Sequence, residues 1–422
     1  MKVFKFGGAS VKDAAAVRNL TEIVKNYVNE PLVVVVSAMG KTTNKLEAVC
    51  QSYFKQDCAY HQHMSELKEF HWNICNELFD EPEIHLQQFV SFLEQLETKL
   101  KSEPSLTYNF EYDQIVSFGE LISTTIISAY LASVGVQNKW IDIRKGLRTN
   151  SRYRDAAVDF QLSEELIKKL FKTDKNNLFV SQGFIGATKN NLSTTLGREG
   201  SDYSGALLAY FLNAESLTVW KDVPGVLNAD PKWFDDTELI ENMDYTDAIE
   251  LAFYGTSVIH PKTIQPLKRK EIPLFVRSFL HPEQKGTAIS LKKSVKTIPS
   301  FIFKVDQVLL EICPYDLSFI DEQNLQHVFE VFSKHGMKIN FMQNTAVNFK
   351  VCTNNLAFIN DAVIDELKEK YHINKKIGLE LITIRYYDTE TIKRVLVNKQ
   401  VILEHRSERT IQMVVDPLDK KS

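Results

Sequence analysis

Residues Leu32-Val33-Val34-Val35-Val36 form an uninterrupted apolar run, four of its five side chains β-branched. A strand that is apolar on both faces needs cover on both, which suits the centre of a parallel sheet between helices. A second apolar run, Val3, Phe4 and Phe6, precedes it, and Val17, Leu20, Ile23 and Val24 recur between them at helical spacing. Strand, helix and strand by residue 36 make a βαβ unit, so the chain reads as an α/β doubly wound protein. The first strand stops at Gly7-Gly8, and Ser10 is placed to cap a helix beginning near Val11. Such a turn presents free N–H groups at a positive dipole end, glycine admits close approach, and Lys5 adds a full charge. These are the makings of an anion site.

The chain has 422 residues, enough for two or three domains. Its net charge of −4 comes from interleaved acids and bases, which gives no basis for nucleic-acid binding. No unbroken apolar run approaches the roughly 18 residues of a membrane helix. The N-terminus enters a strand at once, so no secretory leader is expected. Cys50, Cys58, Cys75, Cys313 and Cys352 show neither disulfide nor zinc-ribbon spacing, and a reducing, cytoplasmic setting is expected.

From about Leu46 to Leu100 the pattern is helical, with Leu86, Phe89, Val90, Leu93, Leu96 and Leu100 on one stripe, as in an insertion beside the sheet. His71 and Cys75 stand four apart on one helix face, a conceivable metal pair, although a histidine there is ordinarily polar surface. Further strands are read at 178–180, 217–220 and 273–276, with 286–289 as a last edge strand. Helices are read at 205–212 and 244–254. Residues 291–300 are basic, polar and proline-bounded, as a linker would be. Beyond them the order strand, helix, strand, strand, helix, followed by strand, short helix and strand, suggests a ferredoxin-like α/β sandwich with part of a second copy.

Several strand ends and helix starts carry groups suited to chemistry. Ser37 to Asn44 follows the valine strand, where open α/β sheets place ligands, and offers hydroxyls at Ser37, Thr42 and Thr43. Glu120 lies on a helix among apolar neighbours, where a carboxylate needs a cation partner such as a substrate ammonium or an arginine. In Gly197-Arg198-Glu199-Gly200-Ser201-Asp202, Arg198 offers a planar fork for a carboxylate or phosphate, and Asp202 opens a helix, where it could serve simply as a cap. Asp222-Val223-Pro224-Gly225 and Asn228-Ala229-Asp230-Pro231-Lys232 can floor a base and bring Lys221 or Lys232 near phosphates. His260 reads as a packing or hydrogen-bonding residue. There is no Walker loop and no nucleophile–histidine pair, so any phosphoryl transfer would rest on positioning and charge neutralisation.

Five motifs in order resemble the aspartokinases of the amino acid kinase family: Lys5 to Val11, Ser37 to Asn44, Ser117-Phe118-Gly119-Glu120, Gly197 to Asp202, and Asp222 to Gly225 with Asn228 to Pro231. The C-terminal part is similar to that family's ACT regulatory region. The resemblance implies a three-layer αβα catalytic domain over 1–292, with 46–100 inserted. It also implies an ACT region over 300–422, one full copy and a shortened second. The implied reaction transfers the ATP γ-phosphoryl to the β-carboxylate of L-aspartate, giving 4-phospho-L-aspartate, with Mg2+. This is the first step towards lysine, threonine and methionine. A cytoplasmic homodimer paired through the ACT region, without nucleic-acid or membrane partners, goes with it. By position, Lys5, Phe6, Gly7 and Gly8 would hold the moving phosphoryl and ATP. Ser37, Thr43, Glu120, Arg198 and Ser201 would bind aspartate, with Glu120 on its ammonium and Arg198 on its α-carboxylate. Asp202 would orient the catalytic lysine. Lys221, Asp222, Leu227, Lys232, Ser257 and Lys262 would serve the nucleotide.

Some positions depart from the pattern. Ala9 replaces a commoner Thr, Lys221 stands where a Thr often precedes the Asp, and Leu227 stands at an often aromatic position. Ser257 takes the place of a phosphate-binding lysine, for which Lys262 or Lys221 could substitute. Phe341 to Thr345 replaces a Ser-Glu-containing effector loop, so feedback inhibition by lysine or threonine does not carry over. Magnesium ligands are not indicated. Rival readings are a kinase of glutamate or its acetylated form, against which Glu120 speaks, and a catalytically weak amino-acid sensor. A homoserine dehydrogenase fusion is not expected at this length.

Overall fold

The computed structural model describes residues 1–172, 177–256, 258–292, 297–316 and 318–418. The chain forms two compact units. One comprises Met1–Val226, Leu239–Ile249 and Val258–Ser294. The other comprises Leu227–Glu238, Glu250–Ser257 and Val295–Ser422. Residues 293–296 of the expected linker, and Ser257, lie outside the described residues.

In chain order the first part runs β1 (Lys2–Phe6), α1 (Ala14–Lys25), β2 (Leu32–Val36), α2 (Thr42–Phe54), α3 (Ala59–Leu78), α4 (Pro82–His85), α5 (Gln87–Leu100), α6 (Tyr108–Val116), α7 (Phe118–Ser133), β3 (Lys139–Ile141) and α8 (Phe160–Leu170). Then come β4 (Leu178–Gln182), β5 (Ile185–Ala187), β6 (Ser193–Thr195), α9 (Gly200–Phe211), β7 (Ser216–Lys221), β8 (Asn242–Asp244), α10 (Tyr245–Tyr254), α11 (Pro261–Arg269), β9 (Leu274–Ser278) and β10 (Thr287–Ser290). Eight strands make one sheet in the order β3-β4-β2-β1-β7-β9-β10-β8. All neighbours are parallel except β9 and β10. Every residue of β2 is fully buried, as the valine run requires of a central strand. On β1, Lys5 faces α9. A Cβ at Gly205 would come within 3.4 Å of the Lys5 Cβ and 3.2 Å of Leu217, so a glycine lets this helix sit close on the sheet.

Local chemistry shifts several boundaries. Residues Gly8–Val11 form a short 3-10 turn in which the Ser10 hydroxyl donates to the Gly7 carbonyl. It is Asp13 that caps α1, accepting from the Ala16 N–H at 2.8 Å. A carboxylate at the helix start outcompetes the earlier hydroxyl. The 287–290 strand is not the edge, because three-residue β8 pairs outside it. The helix read from Gly205 starts earlier, at Gly200, and Asp202 sits inside its first turn without capping it. The continuous helical stretch Tyr108–Ser133 is apolar and long enough to cross a membrane, contrary to the reading from unbroken runs. However, 78% of its apolar window is buried within the protein, the behaviour of a core helix.

The second unit contains β11 (Ser300–Pro314), α12 (Glu322–His335), β12 (Ile339–Asn344), β13 (Phe349–Asn354), α13 (Ala357–Leu367), β14 (Tyr371–Arg385), α14 (Thr389–Val395), β15 (Lys399–Arg406) and β16 (Thr410–Pro417). They form an antiparallel sheet ordered β12-β13-β11-β14-β16-β15. The two long strands β11 and β14 pair along their length, with register breaks around Gln307. One half of the pair joins α12, β12, β13 and α13 over a core of Val308, Leu310, Ile312, Val328, Phe332 and Val363. The other half joins α14, β15 and β16 over Ile382, Ile384, Ile411 and Met413. Segment 227–238 belongs to this unit because Trp233 and Phe234 stack on Phe301 and Phe303, and Ala229 enters the same core.

Candidate active site

In the sheet, β1 connects towards β2 on one side, whereas β7 leads to β9 on the other. Connections that part in this way open a crevice at the carboxyl ends of the two strands, where α/β proteins bind ligands. The residues at those ends are charged. Lys5 Nζ lies 2.5 Å from Asp202 Oδ1, and Lys221 Nζ lies 3.1 Å from Asp202 Oδ2. Burial alone would raise the Asp202 pKa, but Lys5 and then Lys221 reverse this and hold the carboxyl below its ordinary value. Asp202 is therefore an ionised clamp between two lysines, and its place one turn into α9 is what aims it there.

Beside this cluster lies a cavity of about 560 Å³ lined by residues from distant segments. Lys5, Ser37, Thr43, Glu120, Arg198 and Ser201 all face it, so the structure brings together the whole set that the motifs suggested for the acceptor. Two glycine loops make this convergence possible. A Cβ at Gly8 would come within 2.8 Å of the Gly40 carbonyl and 2.9 Å of the Ala38 carbonyl, and the Gly40 N–H donates to Gly8 at 3.0 Å. The Ser37 hydroxyl donates to Ser201 at 2.9 Å, and a Cβ at Gly183 would collide with the same serine.

Two helices begin at the cavity. Thr43 and Asn44 lie in the first turn of α2, and Gly200 and Ser201 in that of α9. Neither helix has a side-chain cap; the Thr42 and Gly200 N–H groups go to the Met39 and Gly197 carbonyls, and the residues next in line, Thr43, Asn44 and Ser201, set the positive dipole ends against the cavity. The anion-holding role expected at Gly7-Gly8 thus falls more heavily on Lys5 and these two helices, because only a single 3-10 turn follows the first glycines.

Glu120 is 2% exposed. Its Oε1 accepts from the Ala38 N–H at 3.3 Å, while Oε2 has no hydrogen-bond partner among the described residues. Burial pushes its pKa up to about 8, against the pull of the Ala38 N–H, its own backbone N–H and Lys5. A buried acid with an idle oxygen in a ligand cavity is built to receive a cation.

The inserted helices support the site from behind. His71 on α3 is buried, not surface as expected. Its Nδ1 donates to the Leu67 carbonyl at 2.7 Å, and its Nε2 meets Thr42 Oγ1 at 3.3 Å. Burial lowers its pKa to about 4, which keeps the ring neutral, and burial raises that of the Cys75 thiol to about 12. Both ring nitrogens are committed, and no cluster of metal-ligating side chains occurs among the described residues.

The nucleotide set is spread more widely. Lys221 joins Asp202, whereas Lys262 on α11 pairs with Asp155 at 2.8 Å. His260 caps α11, its Nδ1 accepting from the Lys262 N–H. Asp222 follows β7, and Leu227 and Lys232 belong to the second unit. Sequence reasoning passed over four cavity residues: Tyr112, Arg154, Phe184 and Thr195. Phe184 could have been found, since it stands two residues beyond the end of strand β4, after Gly183; the others carry no local signal.

An open α/β sheet with a lysine–aspartate–lysine cluster at its switch point, beside a cavity with a second arginine-bearing glycine loop, defines a phosphoryl-transfer enzyme acting on a small acid. Residues 1–278 match the amino acid kinase family. The chain is 30% identical to lysine-sensitive aspartokinase 3 of Escherichia coli over 90% of its own length and 86% of that protein. It is 31% identical to the bifunctional aspartokinase/homoserine dehydrogenase 2 of Arabidopsis thaliana, of which it spans 32%. Among solved structures, E. coli aspartokinase III in complex with lysine and aspartate superposes with a TM-score of 0.84 at 26% identity, covering 99% of this chain and 96% of that one. The same enzyme in complex with aspartate and ADP gives 0.82. The chain belongs to the amino acid kinase family, within its aspartokinases.

Proposed function

We propose that the protein is an aspartate kinase, which moves the γ-phosphoryl group of ATP to the β-carboxylate of L-aspartate. The observation that carries this is the single cavity holding Lys5, Glu120 and Arg198 beside the Asp202 clamp. The E. coli relative's complexes, one with lysine and aspartate and one with aspartate and ADP, support aspartate as acceptor and an adenine nucleotide as the other ligand.

The chemistry follows from charge. A β-carboxylate is ionised at neutral pH, so the nucleophile needs no general base. One of its oxygens forms the new bond to γ-phosphorus while the bond to the bridging oxygen breaks, and ADP leaves. What opposes reaction is repulsion between a carboxylate and a polyphosphate. Lys5, held by Asp202, and the uncapped starts of α2 and α9 relieve it. Arg198 grips the α-carboxylate and Glu120 the ammonium, with Ser37, Thr43 and Ser201 completing the cradle. Lys221, which joins Lys5 on Asp202, is the lysine we assign to the place of the family's phosphate-binding one. Phe6, Gly7, Gly8 and Asp222 are assigned to the nucleotide by position.

Both Asp202 oxygens are taken by Lys5 and Lys221, and no cluster of metal-ligating side chains occurs among the described residues, so a magnesium ion would be carried by the nucleotide's own oxygens. Such an ion would draw charge off the phosphates. Residues 300–422 are assigned as an ACT region that pairs two subunits, and the setting as cytoplasmic.

The test is ADP release with L-aspartate, L-glutamate and N-acetyl-L-glutamate in parallel, with lysine and threonine added in further arms. Release with aspartate alone supports the reading. Release with N-acetylglutamate moves it to that acid, and none with any acid, from folded protein, moves it to an amino-acid sensor.

A further inference from the structure

Three non-glycine residues lining the cavity hold left-handed backbone conformations: Arg154 (φ 71°), Phe184 (φ 64°) and Glu199 (φ 55°). Such conformations are costly and persist where the surroundings over-determine them, which marks a wall built to a fixed shape. At Arg154 the fixing group is visible. Asp113 on α6 is fully buried, and its carboxylate accepts from two segments that are far apart in sequence. The Arg154 N–H reaches Oδ1 at 3.2 Å and Oδ2 at 3.0 Å. From β6, the Thr195 N–H reaches Oδ2 at 2.9 Å and the Thr195 hydroxyl reaches Oδ1 at 2.8 Å.

The two segments are zipped together beyond that point. The Ala156 N–H donates to the Thr195 carbonyl at 2.9 Å, and a Cβ at Gly197 would lie 3.1 Å from the Arg154 carbonyl. Arg198, which presents the first guanidinium to the cavity, comes next in the chain. The Arg154 guanidinium carbon lies over Tyr112, 4.3 Å from the ring centroid, and its Nη2 makes a loose ion pair with Glu47 Oε1 at 3.8 Å. It is a second guanidinium in the cavity wall, and with Lys5 the third cation. Unlike Lys5, it is not held by a buried acid of its own.

We propose that Arg154 is a second carboxylate-recognising residue of the acceptor cavity and that Asp113 is the residue that positions it, by locking the 150–155 loop to the end of β6. This rests on the aspartate kinase reading and deepens it. An acceptor with two carboxylates meets two guanidiniums, Arg198 and Arg154, on a wall that one buried acid holds together. A monocarboxylic amino acid has no second anion to offer.

The groups facing Asp113 are Arg154, Tyr112 and Tyr153. Burial raises both phenols, so both remain neutral, and Arg154 is the charged group that acts on it, pulling its pKa down. Burial lifts the Asp113 pKa to about 6, against the hydrogen bonds from Arg154 and Thr195. Below that pH the carboxyl gains a proton and loses acceptor capacity towards two N–H groups and a hydroxyl, which loosens the wall.

The experiment measures steady-state KM for L-aspartate and for ATP in wild type, Asp113→Asn, Arg154→Gln, Arg154→Lys and the Asp113→Asn/Arg154→Gln double variant, with folding checked by circular dichroism. We expect Arg154→Gln and Asp113→Asn each to raise KM for aspartate by about tenfold or more, with KM for ATP within about twofold and kcat far less changed. Arg154→Lys should recover part of the loss. The double variant should be no worse than the larger single one, because the two act as a unit. The ratio of KM in Asp113→Asn to KM in wild type should shrink towards one as pH falls from about 7 to about 5, since the wild-type carboxyl is then protonated too.

An unchanged KM for aspartate in Arg154→Gln overturns the proposal, as does an equal rise in both KM values. If Asp113→Asn does not fold, the Arg154 variants decide alone. Failure of wild type to phosphorylate aspartate refutes the functional reading itself and is seen before any variant is made.

Discussion

Replacing Glu120 by Gln removes one charge and almost no volume from the cavity. Wild-type Glu120 has a pKa pushed up to about 8 by burial, so near pH 7 roughly one molecule in ten carries it ionised, and near pH 9 roughly nine in ten. A substrate ammonium pairs only with the ionised form. Aspartate binding to wild type therefore expels a proton near pH 7, and KM for aspartate should fall about tenfold between about pH 7 and pH 9. In Glu120→Gln the charge-assisted hydrogen bond is gone, a loss of about 1.5–3 kcal/mol or roughly 10–150-fold in aspartate KM near pH 9. The profile should also be flat across this range. The assay is coupled ADP release at saturating ATP over that pH range, together with calorimetric titration of aspartate in buffers of differing ionisation enthalpy to count protons. A wild-type KM that does not change across the range, or a Glu120→Gln variant that keeps the wild-type slope, refutes the reasoning.

Four further outcomes follow. The folded protein holds the Glu120 proton that the unfolded chain releases above about pH 4.5, so this residue's stabilising effect is full at lower pH and is lost as pH rises towards about 8. Denaturant titrations of wild type and Glu120→Gln should therefore diverge between about pH 6 and 8, by up to about 1.4 kcal/mol per unit, with the variant gaining relative stability as pH rises. Gly8→Ala forces a methyl against the Gly40 and Ala38 carbonyls, so a loss of about 1–3 kcal/mol is expected in the same assay, together with a collapse of kcat. Lys221→Ala should raise KM for ATP, while Lys262→Ala, whose exposed partner is Asp155, should leave it within about twofold; the reverse order would assign the phosphate role to Lys262. Leu32→Ala in the fully buried central strand should cost about 2–5 kcal/mol of unfolding free energy without moving either KM.

What the chain disclosed in advance divides along a physical line. Leu32 to Val36 announced a central strand because five apolar neighbours in a row leave few other fates. Ser37 to Asn44 and Gly197 to Asp202 pointed to a candidate site because glycines and polar groups gather there at strand ends and helix starts, and both segments do line the cavity, whereas Gly7-Gly8 alone reads equally as an ordinary turn. The cap of α1 was misread because Ser10 and Asp13 both suit the role, and only the backbone path chooses between them. Edge strand β8 carries three residues with no pattern of their own; its pairing with β10 creates it. His71 reads as polar surface until α2 is laid against α3 and offers it the Thr42 hydroxyl. Tyr112, Arg154 and Thr195 were illegible for the same reason. Nothing in their own neighbourhoods marks them, and it is Asp113, drawing together segments some 40 and 80 positions away, that makes them one wall.

The most direct measurement identifies the product rather than its rate. The protein is incubated with ATP, magnesium and L-aspartate, the acyl phosphate is trapped with hydroxylamine, and the hydroxamate is identified chromatographically while ADP is counted. The account predicts the β-hydroxamate of aspartate in one-to-one ratio with ADP, and none from glutamate or N-acetylglutamate. ADP without hydroxamate, the α-hydroxamate, or trapping from another acid instead would contradict it.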